Sequence, residues 1–311
     1  MSKILSFDTS NYTTSACVFD TSRGVVWENR TMLTVALGEC GIRQNDAVFL
    51  HTKNLNTLFD DFCINDIDFV VASNCPSERE NSYMPCFTVG VSFAKVISNI
   101  LGVPFYSYSH QKNHICAALF SSGNIDLLKK SFIAYHVSGG TTDVCLCEPA
   151  ENNFTVKKIG GTADISCGQL IDRTGVNIGL QFPCGKQIEQ ISDKKLITGK
   201  VRIKNSGGYF NFSGFQNKTE QMFASGADKT EIASYCLDVV YSFLKNSIKY
   251  YRECYGNLPV ILSGGVMSNN IITELLCSEV NDLYFSKPNY SVDNSLGCAV
   301  LCAYERGLLN E

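Results

Sequence analysis

The segment FIAYHVSGGTTDVCLC, residues 132–147, repeats the design of the N-terminal segment ILSFDTSNYTTSACVF, residues 4–19. Each contains an apolar run, a turn of small or polar residues, a Thr-Thr pair and a second apolar run, which is typical of a β-hairpin. The two Thr-Thr pairs lie 128 residues apart, too far for a solenoid repeat. The repetition predicts two lobes that each begin with a hairpin.

Short apolar runs alternate with helical patterns after each hairpin. The alternation favours α/β layers. We expect strands at 69–72, 103–106 and 259–262, and helices at 87–101, 109–120, 230–251 and 291–306. The predicted lobes are 1–108 and 109–311. Residues 192–226 are rich in Lys, Gly, Asn and Ser and lack clean periodicity, so we interpret them as an excursion from the second lobe.

Composition limits the function classes. A chain of 311 residues with 45% hydrophobic residues can bury a large core, and its length favours two structural units. The formal charge is −4 and no block of like charge is obvious, so composition does not indicate a broad basic face. If RNA is a substrate, partner proteins are expected to supply much of the affinity.

The cysteines and the N-terminus indicate a reducing compartment. There are 15 cysteines, an odd number without CxxC pairs, so most are expected to be reduced core residues. This applies to Cys145 and Cys147 on one strand and to Cys298 and Cys302 on one helix. The apolar run after Lys3 is too short for a signal peptide, and no run approaches a membrane span. The expected location is the cytoplasm.

Two Ser-Gly-Gly turns follow predicted strands. Ser138, Gly139 and Gly140 precede the second Thr-Thr pair, and Ser263-Gly264-Gly265 precedes a helix expected to begin near Ser268-Asn269. Paired glycines let successive backbone N–H groups point at one anion, as a helix N-terminus also does. A phosphate cradle and an ordinary tight turn both fit each segment, but two such turns favour the cradle.

His110 and His114 lie four residues apart on a predicted helix, so both rings share one face. The chain has only 4 histidines. A metal site needs at least a third ligand, and Asp293 is the best carboxylate candidate. The alternatives are a pair of structural histidines and, for Asp293, a helix cap.

Residues 161–189, GTADISCGQLIDRTGVNIGLQFPCGKQIE, place three carboxylates among small residues. Asp164, Asp172 and Glu189 could accept hydrogen bonds from ribose hydroxyls. Helix caps and solvated helix faces are the alternative interpretation.

These motifs together resemble those of the TsaD/Gcp family, the catalytic subunit of tRNA threonylcarbamoyladenosine synthase. The resemblance runs nearly end to end in matching order: FDTSNYTTSACVFD, HQKNH, VSGGTTD, the segment 161–185, FNFSG, SGGVMSNN and VDN. It implies an α/β, actin-like ATPase (ASKHA) fold of two lobes, each with a mixed β-sheet flanked by helices.

The resemblance also implies a cleft that holds a divalent metal, whether iron, zinc or magnesium, and an adenylate such as ATP, AMP or threonylcarbamoyl-AMP. By position, the metal ligands would be His110, His114 and Asp293. The backbone of Val137, Ser138, Gly139 and Gly140 would meet phosphate or the acyl group, and the ribose and base would be held by Asp172, Gly185, Glu189 and Asn269.

The implied reaction transfers threonylcarbamoyl to N6 of the tRNA adenosine that is 3′ of the anticodon. TsaB-like and TsaE-like subunits are the implied partners. Asp8 is the candidate catalytic base.

The chain departs from the family pattern at several positions. Tyr12 and Thr13 replace an acidic pair, and residues 75–80, CPSERE, replace a Gly-Pro-Gly turn. Further departures are Thr141 for His, Gln216 for Lys and Phe49 for Arg. Three functions therefore stay open: the tRNA transferase, a nucleotide-binding scaffold of a synthase complex, and a carbamoyl-type transferase or ATPase with another acceptor. HQKNH lacks the glutamate of HExxH, so a zinc peptidase is not supported.

Overall fold

A computed structural model describes residues 1–10, 12–34 and 42–309. Asn11, in the turn of the first predicted hairpin, lies outside the described residues. The chain divides into two compact units. Unit 1 comprises Met1–Lys129, Glu148–Val156 and Val292–Glu311, and unit 2 comprises Lys130–Cys147 and Lys157–Ser291.

Unit 1 contains a five-stranded mixed sheet in the order β3-β2-β1-β4-β5. The strands are β1 (Lys3–Asp8), β2 (Thr13–Asp20), β3 (Gly24–Met32), β4 (Phe69–Cys75) and β5 (Phe105–Ser109). The first hairpin is confirmed, because β1 and β2 pair antiparallel, whereas β1, β4 and β5 pair parallel. β5 begins later than predicted, after Pro104, which has no N–H to donate to a ladder.

Alternation along β1 gives its two faces different roles. Leu5 and Phe7 belong to an apolar cluster with Leu55 of α1 (Gln44–Leu58) and Phe93 of α2 (Phe87–Leu101). The intervening residues turn to the opposite face, where α3 (His110–Ser121) and α9 (Leu296–Glu305) pack. Ser6 Oγ donates to the carbonyl of Ser295 there, at 2.6 Å. This alternation places Asp8 on the face covered by α3 and α9.

The predicted boundary after residue 108 does not coincide with the boundary between the compact units. Helices α3 and α9 pack against each other, and both belong to unit 1.

The last helix begins later than predicted. Residues 291–295 are not helical, and α9 starts at Leu296. The side chain of Asn294 accepts a hydrogen bond from the N–H of Leu296 at 3.0 Å, a local turn that competes with helix. Asp293 therefore lies in the segment before α9 and is not its cap.

A seven-stranded sheet has the order β12-β11-β6-β7-β8-β10-β9. The second predicted hairpin is confirmed, because β6 and β7 pair antiparallel, whereas β6, β11 and β12 pair parallel. The strands are β6 (Phe132–Val137), β7 (Thr142–Ala150), β8 (Asn153–Thr162), β9 (Asn205–Ser206), β10 (Tyr209–Phe210), β11 (Val260–Ser263) and β12 (Leu283–Phe285). The far ends of β7 and β8 belong to unit 1.

The helices of unit 2 surround an apolar core to which the long α7 contributes most. They are α4 (Cys167–Asn177), α5 (Gly185–Ile191), α6 (Ser213–Ala224), α7 (Lys229–Tyr255) and α8 (Asn270–Glu279). Residues 192–226 contain the β9–β10 hairpin and α6, and Phe210 and Phe212 are buried in this core. The segment interpreted as an excursion is thus packed into unit 2.

Cys145, Cys147, Cys298 and Cys302 are all buried, as expected. Within the described ranges, none of the helices combines the length and apolarity needed to cross a membrane.

Candidate functional site

His110, His114 and Asp293 form one cluster in unit 1. Each residue offers a ligand atom, and these atoms all lie within 4.8 Å of one another. Asp293 Oδ1 lies 3.6 Å from His110 Nε2 and 3.3 Å from His114 Nε2. The side chains of His110 and His114 are 17% and 11% exposed and that of Asp293 is 26% exposed, so the cluster reaches solvent. The structure thus brings the three predicted ligands together.

Asp8 lies behind this cluster and not within it. Its side chain is fully buried. Oδ2 contacts His110 Nδ1 at 2.7 Å and accepts from Ser73 Oγ at 2.7 Å, while Oδ1 accepts from the N–H of Ser10 at 2.9 Å. A carboxylate on one nitrogen of a histidine orients the ring and makes the other nitrogen a better ligand. The geometry favours a positioning role for Asp8 over the catalytic role expected from the sequence.

Charges in the cluster favour a cation. Burial alone lowers the pKa of His110, but the carboxylates of Asp8 and Asp293 outweigh it and raise this pKa to about 10. Burial raises the pKa of Asp293, yet hydrogen bonds and charge interactions with His110 and His114 hold it well below its usual range. The same negative charge would stabilise a metal ion. Two imidazole nitrogens and one carboxylate oxygen are a donor set that suits a divalent metal with open positions.

Asn113 holds the two parts of the cluster together. It is fully buried in α3, its Oδ1 accepts from the N–H of Cys298 at 2.8 Å, and its Nδ2 donates to the carbonyl of Asn294. Gly297 permits this approach, since a Cβ at that position would lie 1.7 Å from the carbonyl oxygen of Asn113. Asn113 was not predicted as a site residue, although it stands within HQKNH.

His51 is a second residue that sequence reasoning did not assign to the site. It is fully buried, and its Nδ1 lies 2.8 Å from Thr14 Oγ1, which accepts from Asn54 Nδ2 at 3.2 Å. Burial lowers the pKa of His51 to about 4, against the opposing effects of Asp8, the Ser10 backbone and Asp293. His51 is therefore a neutral imidazole in the electrostatic neighbourhood of the cluster.

The predicted nucleotide residues all belong to unit 2. Gly139 and Gly140 are exposed in the turn between β6 and β7, and a Cβ on either would meet no atom within 4 Å. The turn is closed by Ser138, whose N–H donates to the carbonyl of Thr141 at 2.8 Å. Val137 is buried behind it, and its carbonyl would lie 2.3 Å from a Cβ on Gly264, whose φ of +99° suits glycine. Gly264 of the second Ser-Gly-Gly turn therefore lies against the residue that precedes the first turn, and the first turn has open space beside its glycines.

Three of the predicted nucleotide residues also accept hydrogen bonds from backbone N–H groups of unit 2. Asp172 Oδ1 accepts from the N–H of Cys184 at 2.8 Å, just before Gly185, and Glu189 Oε1 accepts from the N–H of Asn270 at 2.8 Å. Asn269 caps α8 through its side chain, which accepts from the N–H of Ile272 at 3.0 Å. Burial raises the pKa of Asp172. The second oxygens of Asp172 and Glu189 accept no hydrogen bond from the part of the chain described here, so they could accept from a ligand.

Asp164 has a structural role. Its carboxylate accepts from the N–H groups of Phe212 and Ser213 at the start of α6, at 2.8 Å each. It therefore matches the helix-cap alternative.

The residues that depart from the family pattern lie in varied settings. Thr13 is buried at the start of β2, whereas Phe49 is 67% exposed on α1. Gln216 accepts from Arg173 Nη1 at 3.0 Å and donates to Glu220 Oε1 at 2.8 Å. Glu78, in the segment that replaces the glycine-rich turn, pairs with Lys112 at 3.2 Å.

Solved structures resemble this chain in fold. HypF in its phosphate- and nucleotide-bound form gives a TM-score of 0.60 at 12% identity and is matched over 98% of this chain and 55% of its own. Component A of (R)-2-hydroxyglutaryl-CoA dehydratase from Acidaminococcus fermentans gives 0.54 at 14%, over 98% of this chain and 99% of that one. With the two mixed sheets and their helices, these matches confirm the predicted actin-like ATPase fold.

Sequence relatives extend along most of the chain. A tRNA N6-adenosine threonylcarbamoyltransferase from Malacoplasma penetrans is 27% identical over 94% of this chain and 95% of that protein. A protein of the same name from Thermus thermophilus is 28% identical over 78% of this chain and 71% of that protein. A probable bifunctional tRNA threonylcarbamoyladenosine biosynthesis protein from Thermoplasma acidophilum is 25% identical over 98% of this chain and 57% of its own length.

The profile of one family, TsaD, described as tRNA N6-adenosine threonylcarbamoyltransferase, matches residues 54–299. That range contains all of the predicted nucleotide residues and all three members of the histidine and aspartate cluster. The resemblance expected from the motifs is confirmed, and this chain belongs to the TsaD family.

Proposed function

We propose that this chain transfers a threonylcarbamoyl group from threonylcarbamoyl-AMP to N6 of the tRNA adenosine that is 3′ of the anticodon. The observation that carries the proposal is the cluster of His110, His114 and Asp293 with Asp8 behind it, in a chain whose family is named for this reaction. A buried carboxylate that orients a metal-ligating histidine is typical of a working metal site.

His110, His114 and Asp293 would hold one divalent metal ion. When bound, such an ion supplies Lewis-acid chemistry, the polarisation of an oxygen on the acyl-phosphate group. The carboxylate of Asp8 keeps His110 in one orientation and holds the ring proton at Nδ1, which leaves Nε2 free to coordinate. Because Asp8 is fully buried, the attacking amine would not reach it, and its proton would go to phosphate or to water.

The adenylate would bind to unit 2. The backbone N–H groups of the exposed Gly139 and Gly140 would donate to phosphate or to the acyl group, where hydrogen-bond donors stabilise developing charge. Ser138 would hold the turn in shape, because its own N–H donates to the carbonyl of Thr141. The free oxygens of Asp172 and Glu189 would accept from ribose hydroxyls, and Asn269 would lie near the ribose or base. Gly185 leaves room there, since a Cβ on it would meet nothing within 4 Å.

The proposal includes partner subunits of the TsaB and TsaE type, a tRNA acceptor and a cytoplasmic location. The family relationship supports a complex, and the name of the Thermoplasma relative indicates that the activity can be joined to a second one in a single chain.

The test supplies purified protein with threonylcarbamoyl-AMP, unmodified tRNA and the partner subunits from its host. Modified nucleoside is measured by mass spectrometry. We expect threonylcarbamoyladenosine from the wild type and its loss in the His110→Ala variant. Absence of product from the wild type, under conditions in which another family member is active, would contradict the proposal.

A second candidate is the same transfer chemistry with another acceptor, or a nucleotide-binding scaffold. The replacement of an acidic pair by Tyr12 and Thr13 favours both of these alternatives over the tRNA reaction, since a missing general base costs roughly 10²- to 10⁴-fold in rate. The cluster of His110, His114 and Asp293 argues against the scaffold, because a protein that only binds nucleotide has little use for a metal site. Intact metal and nucleotide binding without tRNA product would favour another acceptor.

A further inference from the structure

One segment of this chain is basic, although the net charge of the whole chain is negative. Residues 194–204, KKLITGKVRIK, contain five basic residues and no acidic one. Unit 2 as a whole carries 16 Lys and Arg against 13 Asp and Glu, whereas the full chain carries 26 against 30. Positive charge is therefore concentrated in unit 2, although overall composition does not indicate a basic face.

In the second half of this segment, exposed cations alternate with partly buried apolar residues. Lys200, Arg202 and Lys204 are exposed, whereas Val201 and Ile203 between them pack against the apolar core. The three cations therefore share the exposed side of this segment, and we call them the basic row.

The backbone under the basic row is held in place. Asp238 of α7 accepts from the N–H groups of Thr198 and Gly199, the first at 3.0 Å and the second at 2.6 Å. Ser242, one turn further, accepts from the N–H of Val201 at 3.1 Å. A ligand that follows the row would thus meet a backbone that is already ordered, which reduces the entropy lost on binding.

The cations of the basic row differ from an earlier lysine of the segment in their ion pairs. Lys194, earlier in the segment, pairs with Glu274 at 2.7 Å, but no ion pair joins Lys200, Arg202 or Lys204 to any carboxylate in the described ranges. An aromatic ring follows the row: Tyr209, 38% exposed, stands on β10 beside the edge strand β9. Several cations without an ion pair in the described residues, followed along the chain by an exposed aromatic ring, match the way proteins hold single-stranded nucleic acid, by phosphate contacts and base stacking.

We propose that the basic row and Tyr209 bind the backbone and an unstacked base of a single-stranded RNA segment, such as the loop of the acceptor tRNA. This inference rests on the proposed function for the identity of the RNA. An acidic protein is the weaker alternative, since lysine is depleted from the centres of protein interfaces and no exposed apolar residue separates these cations.

The test measures binding of a fluorescently labelled anticodon stem-loop RNA by the full-length protein across a range of salt concentrations. The variant replaces Lys200, Arg202 and Lys204 with Gln, and a matched control replaces the exposed Lys130, Lys157 and Lys229 of the same unit. We expect affinity to fall at least about tenfold in the row variant. The slope of log K against log salt should shrink by about 2, since each single-strand phosphate contact contributes about 0.7.

Tyr209→Ala should weaken loop binding with an unchanged salt slope, because stacking is not an ionic contact, and Tyr209→Phe should restore it. The inference is overturned if the row variant and the control bind RNA equally, if the wild type shows no RNA binding at low salt, or if the row variant loses only partner-subunit binding. Threonylcarbamoyl transfer is scored separately. Product formation with an unchanged KM for tRNA in the row variant would contradict the RNA-binding role of the basic row but not the proposed reaction. RNA binding that depends on the basic row, without any product, would contradict the proposed reaction but not the RNA-binding role.

Discussion

Asp8 Oδ2 lies 2.7 Å from His110 Nδ1, although the two residues are 102 positions apart in the sequence. Burial raises the pKa of Asp8, but the neighbouring His110 ring, with hydrogen bonds from His110, Ser10 and Ser73, holds it below its usual value. The carboxylate is therefore ionised and fixes the orientation of a predicted metal ligand.

The Asp8→Asn substitution keeps the shape of the side chain but removes its charge. We expect metal affinity to fall by roughly 10- to 100-fold, the usual cost of losing the carboxylate behind a ligating histidine. Calorimetric titration with zinc or iron(II) measures this. Asp20→Asn is the control, because Asp20 is equally buried on β2 and, among the residues that the structure describes, its carboxylate bonds to Ser22 and Arg23 alone. Equal metal affinity in both variants would leave Asp8 a purely structural residue.

Removing a ligand itself should have a larger effect. His110→Ala or His114→Ala should reduce the metal that copurifies with the protein to a small fraction, because a site with three protein ligands loses much of its affinity with any one of them. His136→Ala is the control, since His136 lies on β6 in unit 2, outside the cluster. Elemental analysis by mass spectrometry gives the metal content. Stoichiometric metal in the double variant would refute the site.

The sequence could predict the two histidines because helical spacing is local. It could not decide whether Asp293 caps a helix or completes the cluster, because that depends on where α9 begins. In the structure the side chain of Asn294 accepts a hydrogen bond from the N–H of Leu296, and the helix begins only at Leu296. The role of Asp8 was equally hidden, because it depends on the packing of α3 against one face of β1, which brings together residues 102 positions apart in the sequence. The hairpins and the Ser-Gly-Gly turns were predictable, since each is encoded by adjacent residues.

Gly297→Ala should test the close approach of α3 and α9. A Cβ there would lie 1.7 Å from the backbone carbonyl of Asn113, so the helices must separate, at a cost of about 1 to 3 kcal/mol in the free energy of unfolding. Since Asp293 precedes α9 and His114 lies on α3, metal affinity should fall as well. Gly214→Ala in α6 is the control, where nothing lies within 4 Å. Chemical denaturation measures the stabilities, and an unchanged Gly297→Ala protein would contradict the packing.

Asp172→Asn should weaken AMP or ATP binding by about tenfold or more. The amide oxygen can still accept from the N–H of Cys184, whereas the second carboxylate oxygen is lost, and hydrogen bonds to charged groups contribute about 1.5 to 3 kcal/mol. Asp228→Asn is the control, because Asp228 caps α7 through the N–H of Thr230 at 2.8 Å. Calorimetry that finds unchanged AMP affinity in a folded Asp172→Asn protein would place the ribose elsewhere.

His51 should make the stability of the protein depend on pH. Burial lowers its pKa from an ordinary value of 6.5 to about 4, so the unfolded chain binds a proton more readily than the folded one. The stabilisation is present above pH 6.5 and is lost as the pH falls from there towards 4. With these two values, the free energy of unfolding should be about 2 kcal/mol lower at pH 5 than at pH 7.

The measurement is urea denaturation of the wild type and of His51→Asn at both pH values. Asn can still meet Thr14 but does not titrate, so the difference between the two proteins should shrink by about 2 kcal/mol at pH 5. Carboxylates such as Asp20, whose pKa is lowered to about 2 chiefly by the hydrogen bonds from Ser22, titrate below this window and are present in both proteins. They therefore cancel in the comparison. An equal loss of stability in both proteins between pH 7 and pH 5 would mean that His51 is not held neutral by its burial.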